Sequence, residues 1–534
     1  MIVKTLYTDG KFYVEKDYFV EGILVEGDKI IAIGSKKDLE KNADTIVSLE
    51  GNTVIPGIND SHLHLWHTGN ALKQVDLTQA KSIEEVIEIT KEFIKEHDLK
   101  DGQLVFGRGW NQDYFTDEQR LLERKDLDRI STDLPIILDR VCVHVTALNS
   151  KALELLNIPE GKVVEGGEIR LDENGEYSGI FTENAFAYAH TIVPQETKAE
   201  AKEKFLAAIQ YAKENGITSV QACDYMGPGY ELYFDILKEI YKEEGEKLRY
   251  YPQFNFQTLE GAKEYIETYY SQEELYDDTF QRGCWKLFKD GTLGARTALM
   301  RKPYHDDPST KGVYAISDED LEEMCAYAED KGVRIVTHAI GDGAIQSMID
   351  AYSKAMKEGN PLRHGIVHCQ ITDRKQLEDI AEKNITVLFQ PIFLQYDIMM
   401  IENRVGKELA KTSYAFKTLY EMNHNLTSLS TDSPVEDLNP FPNIYCAVNR
   451  KRFNGFPEGG YYPEECLTVE EAIDNYTIGS AYSQGMEDRL GRLKEGYYAD
   501  FIVLDRDIFT IDPMDIINIK PLATYIGGEK VWEK

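Results

Sequence analysis

Long apolar runs are missing from this chain. No stretch approaches the ~18 uninterrupted apolar residues of a membrane span. The opening segment Met1–Gly10 has neither a hydrophobic region nor a small-residue cleavage site. A cytoplasmic chain with no membrane attachment is the expectation. Positive charge is scarce too: 59 Lys and Arg face 93 Asp and Glu, a net charge of -34. Phosphate recognition needs clustered Lys and Arg, so nucleic acid and anionic membranes are excluded as expected partners. The 7 cysteines are scattered, odd in number and without a Cys-x-x-Cys pair, so they make no disulfide framework. Cys142, Cys223, Cys284 and Cys369 fall in apolar, strand-like runs and read as reduced core residues. Repeats and low-complexity tracts are absent as well. What is present is a folded, tyrosine-rich chain of 534 residues, long enough for one large domain with additions or for two to three domains.

Both ends read as short strands with turns. Gly22–Gly34 predicts a hairpin turning near Gly27-Asp28, and Thr524–Trp532 predicts another on Gly527-Gly528. Neither end has enough strands for a sheet domain of its own. The reading is therefore a composite β-sandwich from residues 1–57 and 485–534. Between them strands and helices alternate, which predicts a parallel sheet. The strand candidates are Ile58–His64, Ile217–Ala222, Leu248–Phe254, Cys284–Phe288, Val333–His338, His364–His368, Ile385–Gln390 and Leu426–Asp432. Eight such strands predict an α/β fold, a closed (β/α)8 TIM-type barrel over residues 58–484. Helix starts are expected at Ser82 and Thr468 as capping boxes with Glu85 and Glu471, and at Ser317 and Thr372 as N-caps. The first crossover is far too long for an ordinary βα connection. Residues of about 68–200 are read as an insertion after the first barrel strand, capping the active site.

In Pro56–His64, two histidines spaced two apart lie on one side of a strand, where both imidazoles reach one ion. Alone, a His-x-His pair is weak evidence. Here four strand candidates end in residues that bind metals: His62 and His64, His338, His368, and Asp432. Barrel chemistry gathers at those C-terminal strand ends. Nitrogen and carboxylate ligands in this number suit a divalent metal, zinc first, as one or two ions. Strand alternation turns Trp285 and Leu287 outward, Lys286 into the barrel and Lys289 out. A buried Lys286 has its ammonium form disfavoured, and a neutral amine can add CO2 to become a bridging carbamate. A salt-bridged Lys286, or Asp290 as the ligand in its place, stays open. Asp432 is in phase with Ser428 and Ser430; beside a metal it can take a proton from water and return it to a leaving group.

Together these residues resemble the amidohydrolase superfamily, and within it the YtcJ-like branch that includes N-substituted formamide deformylase. Further marks are Gly107-Arg108-Gly109-Trp110, His144 through Ser150, Arg296-Thr297-Ala298, His338 through Asp342, Arg363-His364, Thr431 through Pro434 and Gly491-Arg492-Leu493. The resemblance covers nearly the whole chain. It implies a barrel, a composite sandwich, and hydrolysis of a carbon–nitrogen bond other than a peptide bond, as in an N-acyl or N-formyl amide. Carried over residue by residue, it makes His62, His64, His338 and His368 ligands, Lys286 the carbamate, and Asp432 both ligand and proton shuttle.

Trp110, His144, Arg140 and Arg363 are candidates for substrate contact, each with a structural reading beside it. Glu183 reads as a helix-start carboxylate and His364 as a structural residue deep in the barrel. The expected partner is a small-molecule amide; a homo-oligomer is compatible with the sequence. Two rivals remain: a lactone or phosphoester hydrolase on the same scaffold, and a metal-bound regulatory or binding protein without activity.

Overall fold

The computed structural model describes residues 2–159, 161–227 and 229–534. The chain divides into two compact units, one of Met1–Thr68 with Phe205–Lys534 and one of Gly69–Lys204.

The larger unit is built on eight parallel strands that follow chain order: β1 (Ile58–Leu63), β2 (Ile217–Ala222), β3 (Arg249–Asn255), β4 (Cys284–Phe288), β5 (Ile335–Ala339), β6 (Gly365–His368), β7 (Thr386–Phe389) and β8 (Thr427–Leu429). Their residues are buried on both faces, as a parallel sheet covered by crossovers requires. The first and last strands meet: the Asp432 N–H donates to the His62 carbonyl at 3.0 Å, and the His64 N–H to the Ser433 carbonyl at 2.8 Å. The Ser61 hydroxyl adds a bond to the Leu429 carbonyl at 2.9 Å. The sheet thus returns on itself as a TIM-type barrel. The sequence pattern carries β8 on to Asp432, whereas the ladder stops at Leu429. Asp432 has a φ of 59°, outside the β region, so the chain must leave the sheet before it.

Around the barrel, Ser317 caps Asp318–Lys331, its side chain accepting from the Asp320 N–H. Thr468 and Glu471 form a complete capping box. Thr372 does not cap the helix that follows it. That helix is Arg374–Glu382, and Asp373 caps it with Gln376 closing the box. The Thr372 hydroxyl instead donates to the Thr412 carbonyl.

Strands from both ends of the chain join one eight-stranded sheet, in which Thr53–Pro56 pairs antiparallel with Phe501–Leu504. The two hairpins turn at Gly27-Asp28 and Gly527-Gly528, with positive φ at all three glycines. Pro56 passes directly into β1 through Gly57, whose N–H donates to the Asp500 carbonyl at 2.9 Å. A Cβ at Gly57 would stand 2.2 Å from Thr218 Oγ1, so the first and second barrel strands approach only over a glycine. A buried, bidentate Arg249–Asp500 pair, 2.7 and 3.1 Å, fastens β3 to the terminal sheet.

The smaller unit contains a six-stranded sheet ordered Gly167–Leu171, Tyr177–Glu183, Val145–Leu148, Ile136–Arg140, Val105–Trp110, Val75–Asp76. One apolar cluster includes Val75, Trp110 and Leu138, another Ile137, Leu148 and Phe181. Ser82 caps Ile83–Glu96, but its box is displaced: Glu85 Oε2 accepts from the Lys81 N–H at 2.7 Å. Cys142 is exposed in the turn after Ile136–Arg140, so it is no core residue; Cys223, Cys284 and Cys369 are buried. All seven cysteines are free. Among the described residues no helix is long and apolar enough to cross a membrane.

Candidate metal centre

The C-terminal ends of β1, β6 and β8 bring His62, His368 and Asp432 around one point, with His64 facing Asp432; His338 and Lys286 are not in that cluster. Asp432 Oδ1 stands 3.3 Å from His62 Nε2 and 3.4 Å from His64 Nε2. Ligand atoms of His62, His368 and Asp432 all lie within 4.8 Å of one another. Asp432 Oδ1 is buried and accepts no hydrogen bond.

The rings are oriented from behind. His62 Nδ1 lies 2.5 Å from Gln253 Oε1, His64 Nδ1 3.0 Å from the Cys223 carbonyl, and His368 Nδ1 2.6 Å from Gln390 Oε1. Each acceptor takes the Nδ1 proton and leaves Nε2 as the lone-pair nitrogen, the arrangement metal-binding histidines need. His338, with its ring centroid 4.4 Å from that of His368, is turned the other way. Its Nε2 lies 3.0 Å from the Gly291 carbonyl, so Nδ1 is the nitrogen left over.

Burial, then the nearby Lys286, pulls His62 well below the ordinary histidine range, and burial and His338 do the same to His368. Burial brings His338 down to about 3. Neutral imidazole is the ligating form. Burial opposes charge on His64 too, but the facing Asp432 carboxylate and the Cys223 carbonyl outweigh it and raise that group.

Lys286 points into the barrel and is wholly buried. Its Nζ lies 3.6 Å from the Phe288 ring centre and donates to the Leu287 carbonyl at 3.3 Å. Burial brings its pKa down to about 8. Lys289 turns outward, as the alternation requires, and pairs with Asp318 at 2.6 Å. Asp290 is occupied elsewhere, its two oxygens accepting from the Ile340, Gly341 and Leu299 N–H groups at 2.8–3.0 Å. It ties together the loops after β4 and β5.

Two of the converging residues hold left-handed backbone, His368 at φ 76° and Asp432 at φ 59°. Such conformations persist where the surroundings over-determine them, and they cluster at functional sites. Asp60 supplies part of that constraint at β8. Its Oδ2 accepts from the Thr431 hydroxyl at 2.7 Å and from the Thr431 N–H at 3.1 Å. The site opens into a cavity of about 430 Å³, with Phe288, Leu293 and Phe393 among its walls.

Gln253 and Gln390 carry no motif by which sequence reasoning would find them; Asp60 lies inside the Pro56–His64 stretch, but among Asn59, Ser61 and His62, which leave it no distinct signal. Trp110, read as a substrate contact, is fully buried in the core of the smaller unit, and its indole N–H donates to the Leu138 carbonyl at 3.0 Å. His144 is exposed and pairs with Glu183 at 2.9 Å. Glu183 makes no side-chain cap and carries a φ of 50°, so its carboxylate serves His144 and not the helix start. Arg140 donates to Gln112 and Asn111. Arg363 precedes β6, at the opposite end of that strand from His368. It is clamped by Glu487 at 2.6 and 2.7 Å. His364 is structural, with bonds to the Ile335 N–H and Glu329.

A parallel barrel with histidines and an aspartate converging at the C-terminal strand ends defines the class of metal-dependent barrel hydrolases. Residues 45–532 match the model of the Amidohydrolase family, and the chain belongs to that family. It is 33% identical to the YtcJ protein of Bacillus subtilis (strain 168), over 100% of both chains. It is 25% identical to N-substituted formamide deformylase of Arthrobacter pascens, over 96% of this chain and 95% of that one. Among solved structures, an uncharacterized metal-dependent hydrolase from Pyrococcus horikoshii OT3 superposes with a TM-score of 0.75 at 30% identity, covering 96% of this chain and 99% of that one.

Proposed function

We propose that this protein hydrolyses a carbon–nitrogen bond other than a peptide bond, in an N-formyl or other N-acyl amine of small-molecule size. The observation that carries the reading is Asp432 Oδ1, buried and unbonded, faced by Nε2 of His62 and His64 whose other nitrogens are held from behind. That donor set fits a divalent ion, zinc first. His62, His64 and His368 would hold it through Nε2 and His338 through Nδ1. A bound ion of this kind polarises a carbonyl and makes hydroxide available at neutral pH.

The chain's own residues do the rest. Asp432 takes a proton from the attacking water and delivers it to the departing nitrogen. Phe288, Leu293 and Phe393 keep bulk water from the reacting atoms. Lys286, neutral for part of the time because burial lowers its pKa to about 8, adds CO2. Its nitrogen bonds to the carbon and loses a proton, giving an anion that would allow a second ion. The formamide deformylase relative supports the amide reading.

The test is elemental analysis of purified protein together with turnover of N-formyl and N-acyl amines. We expect divalent metal in the wild type, its loss in His62→Asn, and an Asp432→Asn variant that keeps metal but loses on the order of 10²–10⁴-fold in turnover. Normal turnover by metal-loaded Asp432→Asn would refute the shuttle. Activity on esters or phosphoesters and not on amides would refute the bond assignment.

A further inference from the structure

The cavity beside the metal centre has a second set of acids that the proton transfer does not use. Asp397 and Glu436 line it together with Asp432, and no lysine or arginine does. The Asp397 carboxylate is held by the hydroxyl of Tyr414, itself 1% exposed, whose N–H donates at 2.7 Å to the carbonyl of Gln370, another wall residue. Glu436 is half-buried, and among the described residues it accepts no hydrogen bond and pairs with no cation. Glu436 is thus a carboxylate of the cavity wall that no lysine or arginine of that wall neutralises.

The remaining wall has the complementary chemistry. Tyr396, exposed, and Phe393, stacked on His368 at 5.9 Å, bring aromatic rings to the same wall, and ring faces attract ammonium and guanidinium groups. Carboxylates with aromatic rings, in a wall that has no lysine or arginine and whose four histidines are the proposed metal ligands, form a receptor for an organic cation. The same wall repels a carboxylate-bearing substrate of equal size.

We propose that the amide substrate carries a second, positively charged amine, bound by Glu436 and Asp397 while the scissile group faces Asp432. This specificity rests on the amide-hydrolase reading and names its substrate class. Burial, reinforced by Asp397, Asp437 and Asp432, raises Glu436 to about 7, and burial raises Asp397 to about 6. Burial is the main cause of both shifts, and for Glu436 the neighbouring acids add to it; a bound ammonium would relieve both.

The experiment uses the metal-loaded full chain and three N-formyl pentylamines, ending in an ammonium, a hydroxyl or a carboxylate. The ammonium member is expected to exceed the carboxylate member by about 100-fold in kcat/KM, as expected when charge-assisted hydrogen bonds are gained in one and repulsion in the other. Glu436→Gln should cut the ratio of ammonium to hydroxyl kcat/KM by roughly tenfold, mainly through KM. Glu436→Lys should reverse the preference toward the carboxylate member. Equal turnover of the three members, or a preference for the carboxylate, overturns the proposal and leaves the amide-hydrolase reading standing. If none is turned over, calorimetry decides the cation site alone. Binding of 1-pentylammonium in preference to 1-pentanol, weakened in Glu436→Gln, supports it, and equal binding of the two refutes it.

Discussion

Gln390 holds His368 from behind. Its Oε1 lies 2.6 Å from His368 Nδ1, while its Nε2 donates to Ser430 Oγ at 2.7 Å and to the Leu388 carbonyl at 2.9 Å. The amide is pinned at its nitrogen, so its oxygen can fix both the tautomer and the rotation of the imidazole. Outer partners of this kind typically contribute 10- to 100-fold to metal affinity. Gln390→Leu is expected to weaken binding by about that factor in a chelator competition. Gln390→Glu, which keeps the acceptor, should lose less. Equal affinity in wild type and Gln390→Leu would show that His368 needs no such support.

Lys286 gives a second prediction, about stoichiometry. If its carbamate joins two ions, Lys286→Ala should retain one metal per chain and lose the other by elemental analysis. Wild-type protein loaded with metal in CO2-free buffer should gain activity when bicarbonate is added, and the variant should not. Unchanged metal content in Lys286→Ala would leave the residue as a buried amine beside Phe288 with no bridging role.

Much of the site is readable because local spacing and strand phase carry it. The two histidines of β1 declare themselves by their i, i+2 separation, and His338 and His368 by closing apolar strands. Gln253 and Gln390 have no such signature. Gln253 serves His62 across a separation of 191 residues, and only the closed barrel makes them neighbours. Arg363 and Trp110 mislead for a related reason. Sequence shows that a side chain can recognise a ligand but not that its donors are already spent, as Arg363's are on Glu487 and the Tyr482 carbonyl. Asp290 offers two readings, ligand or structural acid, and only its three backbone donors separate them.

Arg363 yields the third prediction. Its guanidinium is gripped bidentately by Glu487 and stacks 4.1 Å from the Tyr482 ring centre. It sits at the start of the strand whose far end carries His368, about 16 Å away along an extended chain. Arg363→Ala should cost about 1–3 kcal/mol in a denaturant titration, since the planar fork and the stack are both lost. Arg363→Lys should recover only part of that, and KM should stay at the wild-type value in both. A rise in KM without a loss of stability would restore Arg363 as a substrate contact.

His190 gives the last prediction, on pH. Its Nε2 lies 3.1 Å from Asp139 Oδ2, its Nδ1 is 2.8 Å from the Phe186 carbonyl, and its ring stacks on Phe186 at 4.2 Å. Burial disfavours the imidazolium, but the bond to Asp139 and the charge of that carboxylate outweigh it, so the pKa is raised above the ordinary 6.5. A histidine whose pKa is higher folded than unfolded binds its proton more tightly in the native state. Its contribution is therefore complete below about pH 6.5 and disappears as pH rises through the folded value. The unfolding free energy of the wild type should thus fall, relative to His190→Gln, as pH rises from about 6.5 through the raised folded pKa. Asp139→Asn should flatten the same dependence while leaving the Phe186 stack in place. A wild-type profile parallel to that of His190→Gln across this range would mean that the imidazole is neutral in the folded protein. The Asp139 contact would then be an ordinary hydrogen bond from a neutral ring, worth the same at every pH in the window.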